Sequence, residues 1–268
     1  MRSLRELMDL SERRALVTGG AGHLGLAVGE ALMEAGARVA VLDLDVAACQ
    51  QRADALSRAY PKGRALAVSC NLTDERATRG AVRTVLQDLS GLDILIHCAA
   101  YVGTTKVPGW AVPFDQQTVE AWDAAMRVNL TSAFVMVQEA RETLVASGHG
   151  SVILIASTYG LVGPDPTLYD GTPMANPAGY GASKGGLLQL TRYLATVLAP
   201  QVRVNAITPG GVWRNHPDAF NQRYVSRTPL KRMATEEDFK GAVVYLASDL
   251  SAYVTGHNLV VDGGWTAW

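Results

Sequence analysis

The chain has no excess of charge of either sign: 24 lysines and arginines stand against 25 aspartates and glutamates, a formal net charge of -1. No global field draws it to nucleic acid or to an anionic membrane, so partners must be sought at local sites. Cysteine is scarce. Cys49, Cys70 and Cys98 are odd in number and stand without CxxC or Cys/His spacing, which argues against a disulfide framework and against a metal cluster. Three buried thiols in a reducing compartment, and no metal, are expected. Long apolar runs are missing too. No stretch approaches 18 consecutive apolar residues, and the opening MRSLRELMDLSE carries acids where a signal peptide is apolar. A soluble cytoplasmic protein without membrane contact is the expectation.

What is present is ordinary globular composition, 48% hydrophobic and 18% charged over 268 residues, enough for one large domain with a full core. Short β-branched runs at 15–18, 38–43, 65–69, 93–97, 151–156, 203–206 and 258–261 read as seven strands, several apolar on both faces as buried parallel strands are. Between them, 24–35, 47–59, 74–89, 119–147, 178–199 and 235–248 read as helices. Such alternation requires right-handed crossovers and predicts an α/β protein, a doubly wound parallel sheet with helices on both faces. Residues 13–268 are assigned to this domain. Residues 1–12 form an arm, in which Leu4, Leu7 and Met8 recur at helical spacing and suit a short helix lying on the domain surface.

Two patterns carry chemistry. Gly19, Gly20, Gly22 and Gly25 follow the first strand and open the first long helix, a context in which glycines let a pyrophosphate approach the backbone and the helix N-terminus supplies free N–H groups. A tight turn holding no ligand is the alternative. Asp43 closes the second strand, where a carboxylate accepts hydrogen bonds from both adenosine ribose hydroxyls and repels a 2′-phosphate, so NAD is expected over NADP; otherwise Asp43 merely caps the next turn, a role Asp45 could share. The second pattern is Tyr180-Gly181-Ala182-Ser183-Lys184 on a helix. Positions four apart share a face, so the lysine ammonium can sit beside the phenol. A nearby cation favours the phenolate of a group whose free pKa is about 10, which lets tyrosine exchange protons near neutrality.

In this order, a glycine-rich turn, Asp43, Asn129 within a helix, Ser157 after the fifth strand, YxxxK, Pro209-Gly210 after the sixth strand and a closing Val261-Asp262-Gly263-Gly264, the chain resembles the short-chain dehydrogenase/reductase family. The resemblance covers everything beyond the arm and implies a Rossmann domain with a seven-stranded sheet. It makes Ser157, Tyr180 and Lys184 the catalytic core, with Asn129 fixing a water that joins the lysine to solvent. It places the cofactor against Gly19, Gly22, His23, Leu24, Gly25, Asp43, Asn71, Leu72, Ala99, Pro209, Gly210 and Val212, besides Tyr180 and Lys184. Ser157, Tyr159, Tyr180 and Arg214 are the expected substrate contacts, Arg214 serving cofactor or substrate. A homotetramer pairing through the helices at 119–147 and 178–199 is also implied. On residues alone, Ser157 could simply satisfy strand-end backbone and Asn129 could be a polar kink.

Some positions depart from the family pattern. His23 stands for a glycine of the phosphate turn, His97-Cys98-Ala99-Ala100 for the usual NNAG, and Asn71 for a common aspartate. The interval from Ser157 to Tyr180 is longer than usual, which makes 159–177 an insertion at the mouth of the site, where Asp165, Tyr169, Asp170, Thr172 and Asn176 suit a polyhydroxylated ligand. After Pro209-Gly210, where the family places a mobile lid, Arg214, His216, Arg223, Arg227, Lys231 and Arg232 suit an anion. An NAD-dependent sugar dehydrogenase similar to bacterial sugar-modifying members is therefore expected, its substrate small and polar, an acidic one suiting the basic lid. The rivals are a carbonyl reductase of lipophilic ketones, which needs an apolar lid, and a non-catalytic nucleotide sensor.

Overall fold

The computed structural model describes residues 1–268 except Lys62, Thr104 and Pro173. Pro173 falls within the expected insertion 159–177 and lies outside the described residues. Strands β1 (Arg14–Thr18), β2 (Arg38–Asp43), β3 (Ala65–Ser69), β4 (Ile94–His97), β5 (Gly150–Ile155), β6 (Val202–Pro209) and β7 (Asn258–Val261) form one sheet in the order 3-2-1-4-5-6-7. Every pairing is parallel. All seven expected strands are present, and β6 runs on to Pro209 because its residues stay paired with β7.

Alternation along the strands divides the core in two. Leu16, Leu42, Leu95 and Leu154 face a cluster supplied by α4 (Glu75–Asp88), α6 (Ser132–Ala146) and α7 (Ala178–Val197). Their neighbours Ala15, Val17, Val41 and Ile94 face the opposite cluster, supplied by α2 (His23–Glu34), α3 (Val46–Ala59) and α9 (Lys240–Ala247). Full burial of each leucine or isoleucine stabilises by about 1.5–3 kcal/mol relative to exposure. β1 and β4 lie side by side, yet the chain leaves them in opposite directions, toward β2 and β3 on one side and β5 to β7 on the other. Such a reversal opens a crevice at the carboxyl ends of the strands.

The helices depart from expectation in three places. The run at 119–147 is interrupted: α5 (Val119–Met126) and α6 are joined by a π-helical turn, Arg127–Thr131, closed by Ser132 N–H donating to the Arg127 carbonyl. At 235–248 a 3-10 turn, Glu236–Phe239, precedes α9. The arm does form a helix, α1 (Leu4–Met8), with a capping box between Ser3 and Glu6, but buries none of its residues. Leu10 is the buried anchor, and Arg2 pairs with Asp249. The lid segment contains α8 (Asp218–Arg227). Among the described residues no helix is long and apolar enough to cross a membrane, and no three metal-ligating side chains cluster.

Candidate active site

A cleft of about 1160 Å³ runs along the carboxyl ends of the strands and brings together the glycine turn, Asp43, Ser157, Tyr180, Lys184 and the lid. At one end the turn after β1 is built for close approach. A Cβ on Gly25 would collide with the Gly19 carbonyl oxygen, so helix α2 can start this near the strand only with glycine there. Gly22 is the N-cap of α2, carries no side-chain cap, and a Cβ on it would meet only Gly19 O, at 3.2 Å. Bare N–H groups at a helix N-terminus beside an open cleft suit a pyrophosphate. His23 takes the place of a glycine without blocking the turn, because its exposed ring turns toward Glu236, 3.9 Å away.

Asp43 also lines the cleft. Its carboxylate accepts from Ala21 N–H at 3.1 Å and Leu44 N–H at 2.7 Å, while Asp45 caps α3 by accepting from Ala48 N–H. The capping alternative therefore belongs to Asp45. Asn71 accepts from the backbone and hydroxyl of Thr73 and, with Leu72, borders the same end. Ala99, Pro209, Gly210 and Val212 continue the wall, joined by Cys98, which is half-buried where a buried thiol was expected. Among the described residues no Arg or Lys lines the cleft beside Asp43.

At the other end the 3-10 turn Thr158–Gly160 packs β5 against α7 and so sets Ser157 against Tyr180. Ser157 Oγ accepts from Tyr159 N–H at 3.2 Å, as its structural reading anticipates, and both its hydroxyl and the Tyr180 phenol border the cleft. Lys184 is buried. Its Nζ donates to the Ile155 carbonyl at 2.7 Å and lies 5.8 Å from the centre of the Tyr180 ring. Burial brings the ammonium down to about 8 and raises the phenol above its usual value, with the nearby Ser157 hydroxyl opposing the rise. The expected lowering of the phenol by the lysine does not enter here: desolvation sets the direction, and the ammonium is turned to the Ile155 carbonyl at the strand end.

Asn129 sits in the π-helical turn, fully buried, with every side-chain atom engaged. Its Oδ1 accepts from Tyr101 N–H at 2.7 Å, and its Nδ2 donates to Ser183 Oγ at 2.9 Å and the Tyr101 carbonyl at 3.3 Å. Ser183 in turn donates to the Tyr180 carbonyl at 2.8 Å. Asn129 ties the loop after β4 to the helix bearing Tyr180, both protons of its side-chain amide being spent on these contacts. The helix irregularity at Asn129 agrees with the polar-kink reading.

The basic lid cluster is largely neutralised. Arg214 pairs with Glu236, Arg227 with Asp165 and Arg232 with Asp238. Arg223 donates to the Asp170 carbonyl and Lys231 to the Ser226 carbonyl. Arg214 does border the cleft, but its charge is spent on Glu236. The insertion likewise presents few of the expected polar groups: Asp165 serves Thr167 and Arg227, and Thr172 serves the Tyr169 carbonyl. Tyr169 and Asn176 do line the cleft, with Tyr159 OH 2.8 Å from Tyr169 OH and Asn176 Nδ2 donating to the latter at 3.4 Å.

Sequence reasoning missed the aromatic wall. Phe220 and Tyr224 of α8, Met233 and Trp265 pack with Leu168, Tyr159 and Tyr169 in one cluster, and Tyr224 stacks on Trp265 at 5.7 Å. His216 joins it against Phe220 at 5.1 Å. No local signal marks these residues as neighbours, because they come from the insertion, the lid and the C-terminal segment.

A family model described as enoyl-(acyl carrier protein) reductase matches residues 19–266. The chain is 35% identical to 4-formylbenzenesulfonate dehydrogenase of Comamonas testosteroni, over 96% of this chain and 99% of that one. It is 32% identical to D-arabinitol 2-dehydrogenase (ribulose-forming) of Scheffersomyces stipitis, over 97% and 95%. A crystal structure of a short-chain type dehydrogenase/reductase from Mycobacterium marinum superposes with a TM-score of 0.86 at 32% identity, covering all of both chains. With this sheet order, glycine turn and cleft, the chain belongs to the short-chain dehydrogenase/reductase family and is an oxidoreductase. Membership implies a nicotinamide dinucleotide, which the bare N-cap of α2 and the Asp43 end of the cleft fit.

Proposed function

We propose that the protein is an NAD(H)-dependent oxidoreductase of a secondary alcohol or carbonyl carried on a compact ring, a cyclic sugar or polyol or an alicyclic or benzylic alcohol. The bound dinucleotide supplies the hydride acceptor or donor. Tyr180 exchanges a proton with the substrate oxygen, Ser157 holds that oxygen and stabilises its developing charge, and Lys184 carries the compensating positive charge below the phenol. Asn129 keeps the Tyr180 helix in register with the loop after β4. Asp43 supports NAD over NADP, since its carboxylate faces the adenosine end with no cation lining the cleft beside it.

The observation that carries the substrate reading is the wall of Tyr159, Tyr169, Phe220 and Tyr224, interrupted by one polar chain, Asn176 to Tyr169 to Tyr159. Flat apolar faces with few fixed polar groups suit a ring bearing one or two hydrogen-bonding substituents better than an open polyol. Of the two relatives above, the Comamonas protein's name gives it a ring substrate and the yeast protein's a linear pentitol. An anionic substrate loses the support its sequence lent it, because Arg214, Arg227 and Arg232 are paired. Exposed Trp122 and Phe134 on α5 and α6, with Tyr193 on α7, support the homotetramer that the family implies, which light scattering tests.

The test is the initial rate of NADH formation over ring alcohols and linear pentitols, with Tyr180→Phe alongside. Ring substrates should give kcat/KM at least roughly tenfold above pentitols, one filled apolar subsite being worth about that much. The variant should lose roughly 10²–10⁴ of the rate. Pentitols turned over faster would overturn the ring reading, and a fully active Tyr180→Phe would remove Tyr180 from the chemistry.

A further inference from the structure

Tyr159 and Tyr169 meet hydroxyl to hydroxyl on the wall of the cleft, 2.8 Å apart, and Asn176 Nδ2 donates to the Tyr169 oxygen at 3.4 Å. All three side chains line the cleft. The two rings are held from behind. Tyr159 follows Ser157 by two residues and donates its N–H to Ser157 Oγ at 3.2 Å, and its ring stands edge-on to Trp265 at 6.1 Å. Tyr169 closes the 3-10 turn Pro166–Tyr169, whose cap Asp165 is paired with Arg227, and its ring packs on Phe220 at 5.5 Å.

The protons of this cluster can be counted. A phenol has one proton and an oxygen that accepts, whereas an amide Nδ2 only donates. Two phenols therefore carry two protons, and the bond between them uses one. If Tyr169 donates to Tyr159, the Tyr159 proton is left over. If Tyr159 donates, the Tyr169 oxygen accepts from both neighbours and the Tyr169 proton is left over. Asn176 takes no proton in either case, so one O–H of the pair is unused, and neither phenol has a further acceptor among the described residues. Burial and the neighbouring Tyr169 push the Tyr159 phenol well above its ordinary value, which keeps its proton in place. An O–H on an apolar wall without an acceptor is unfavourable, and a ligand oxygen removes that cost where a methylene cannot.

We propose that the Tyr159/Tyr169 pair, its polarity set by Asn176, is a donor subsite that selects substrates carrying a second oxygen as an acceptor besides the oxygen that reacts at Tyr180. A hydroxyl, carbonyl or ether oxygen on the ring takes the unused proton. This deepens the ring reading given above and rests on it, narrowing the substrate to a ring alcohol oxygenated at two places.

Initial rates of NAD reduction on the positional isomers of methoxycyclohexanol, each against the ethylcyclohexanol of the same substitution, test this, because the paired compounds differ by an oxygen in place of a methylene. Wild type should prefer the methoxy compound of at least one pair by roughly tenfold or more in kcat/KM, mainly through KM. Asn176→Asp nearly keeps the side-chain shape but has only acceptors. It draws the Tyr169 proton, Tyr159 then donates to Tyr169, and no O–H is left, so the preference should shrink to about twofold or less. Tyr159→Phe combined with Tyr169→Phe should erase it as well. Tm and NADH binding, measured alongside, show that each variant is folded, and Asn176→Asp decides alone if the double variant is not. Tyr224, the third phenol of the wall, accepts from Gly211 N–H at 2.5 Å and is unaltered in both variants, so a preference that persists in them belongs to Tyr224 and overturns the proposal. Equal rates for methoxy and ethyl compounds in wild type would overturn it too and leave the ring reading standing. Turnover of linear pentitols with none of any ring alcohol would bring down the ring reading and this inference together.

Discussion

Arg227, in the last turn of α8, is ion-paired with Asp165 of the insertion after β5, so the two segments that flank the cleft mouth are fastened to each other. Leu168 packs behind the pair against Phe220 and Tyr224. The pair is half in solvent, and its removal by Asp165→Asn should cost less than about 1 kcal/mol of stability, read by urea unfolding. Its effect belongs to the site: KM for substrate should rise roughly tenfold, and limited proteolysis within 161–172 should quicken, as for a closing segment released from its partner. An unchanged KM with an unchanged digestion rate would show that the aromatic packing alone holds the mouth.

Asp43 sets the second prediction. A fixed carboxylate opposite a 2′-phosphate costs several kcal/mol, so kcat/KM should favour NAD over NADP by on the order of a hundredfold. Asp43→Asn removes the charge and keeps one of the two oxygens that accept from Ala21 N–H and Leu44 N–H. The preference should shrink at least about tenfold, chiefly by improving NADP. Competition binding of the two reduced cofactors measures this without a substrate.

Gly22 and Gly25 should separate ligand approach from folding. Gly25→Ala drives a methyl into backbone and should cost on the order of 1–3 kcal/mol, lowering Tm and NADH affinity together. Gly22→Ala meets one carbonyl and otherwise open space, so Tm should hold while NADH binding weakens. Equal losses in both variants would mean that the turn is only a structural turn.

Acid stability follows from His97. Burial pushes its folded-state value down to about 3, below the ordinary 6.5, so the unfolded chain binds more protons between those limits and stability falls as pH is lowered through them. The slope contributed is up to about 1.4 kcal/mol per pH unit. His97→Asn lacks that titration, and its stability relative to wild type should therefore improve as pH drops from 7 toward 5. Urea midpoints at several pH values check the sign.

Strand and helix order was legible because hydrophobic alternation and glycine position act over a few residues, and the glycine turn, Asp43 and the Tyr180 helix were legible for the same reason, whereas Ser157 was singled out only by the family resemblance. The π turn at Asn129 was not legible. Nothing local in Arg127–Thr131 forces an inserted residue, and the partners of its Asn129 side chain, Tyr101 and Ser183, come from two other segments.

The order of elements, the parallel sheet and the residues gathered at its carboxyl edge were determined by the sequence itself, since each depends on patterns read along one stretch of chain. The chemistry of the substrate end was decided by tertiary structure. Five of the six basic residues of the lid became three ion pairs and two carbonyl contacts only when Glu236, Asp165, Asp238 and the Asp170 and Ser226 carbonyls were brought beside them. A loop chosen for its polar groups became an aromatic wall only when α8 and Trp265 folded against it. Charge pairing and apolar burial depend on which distant segments meet, and the order of residues along the chain does not carry that information.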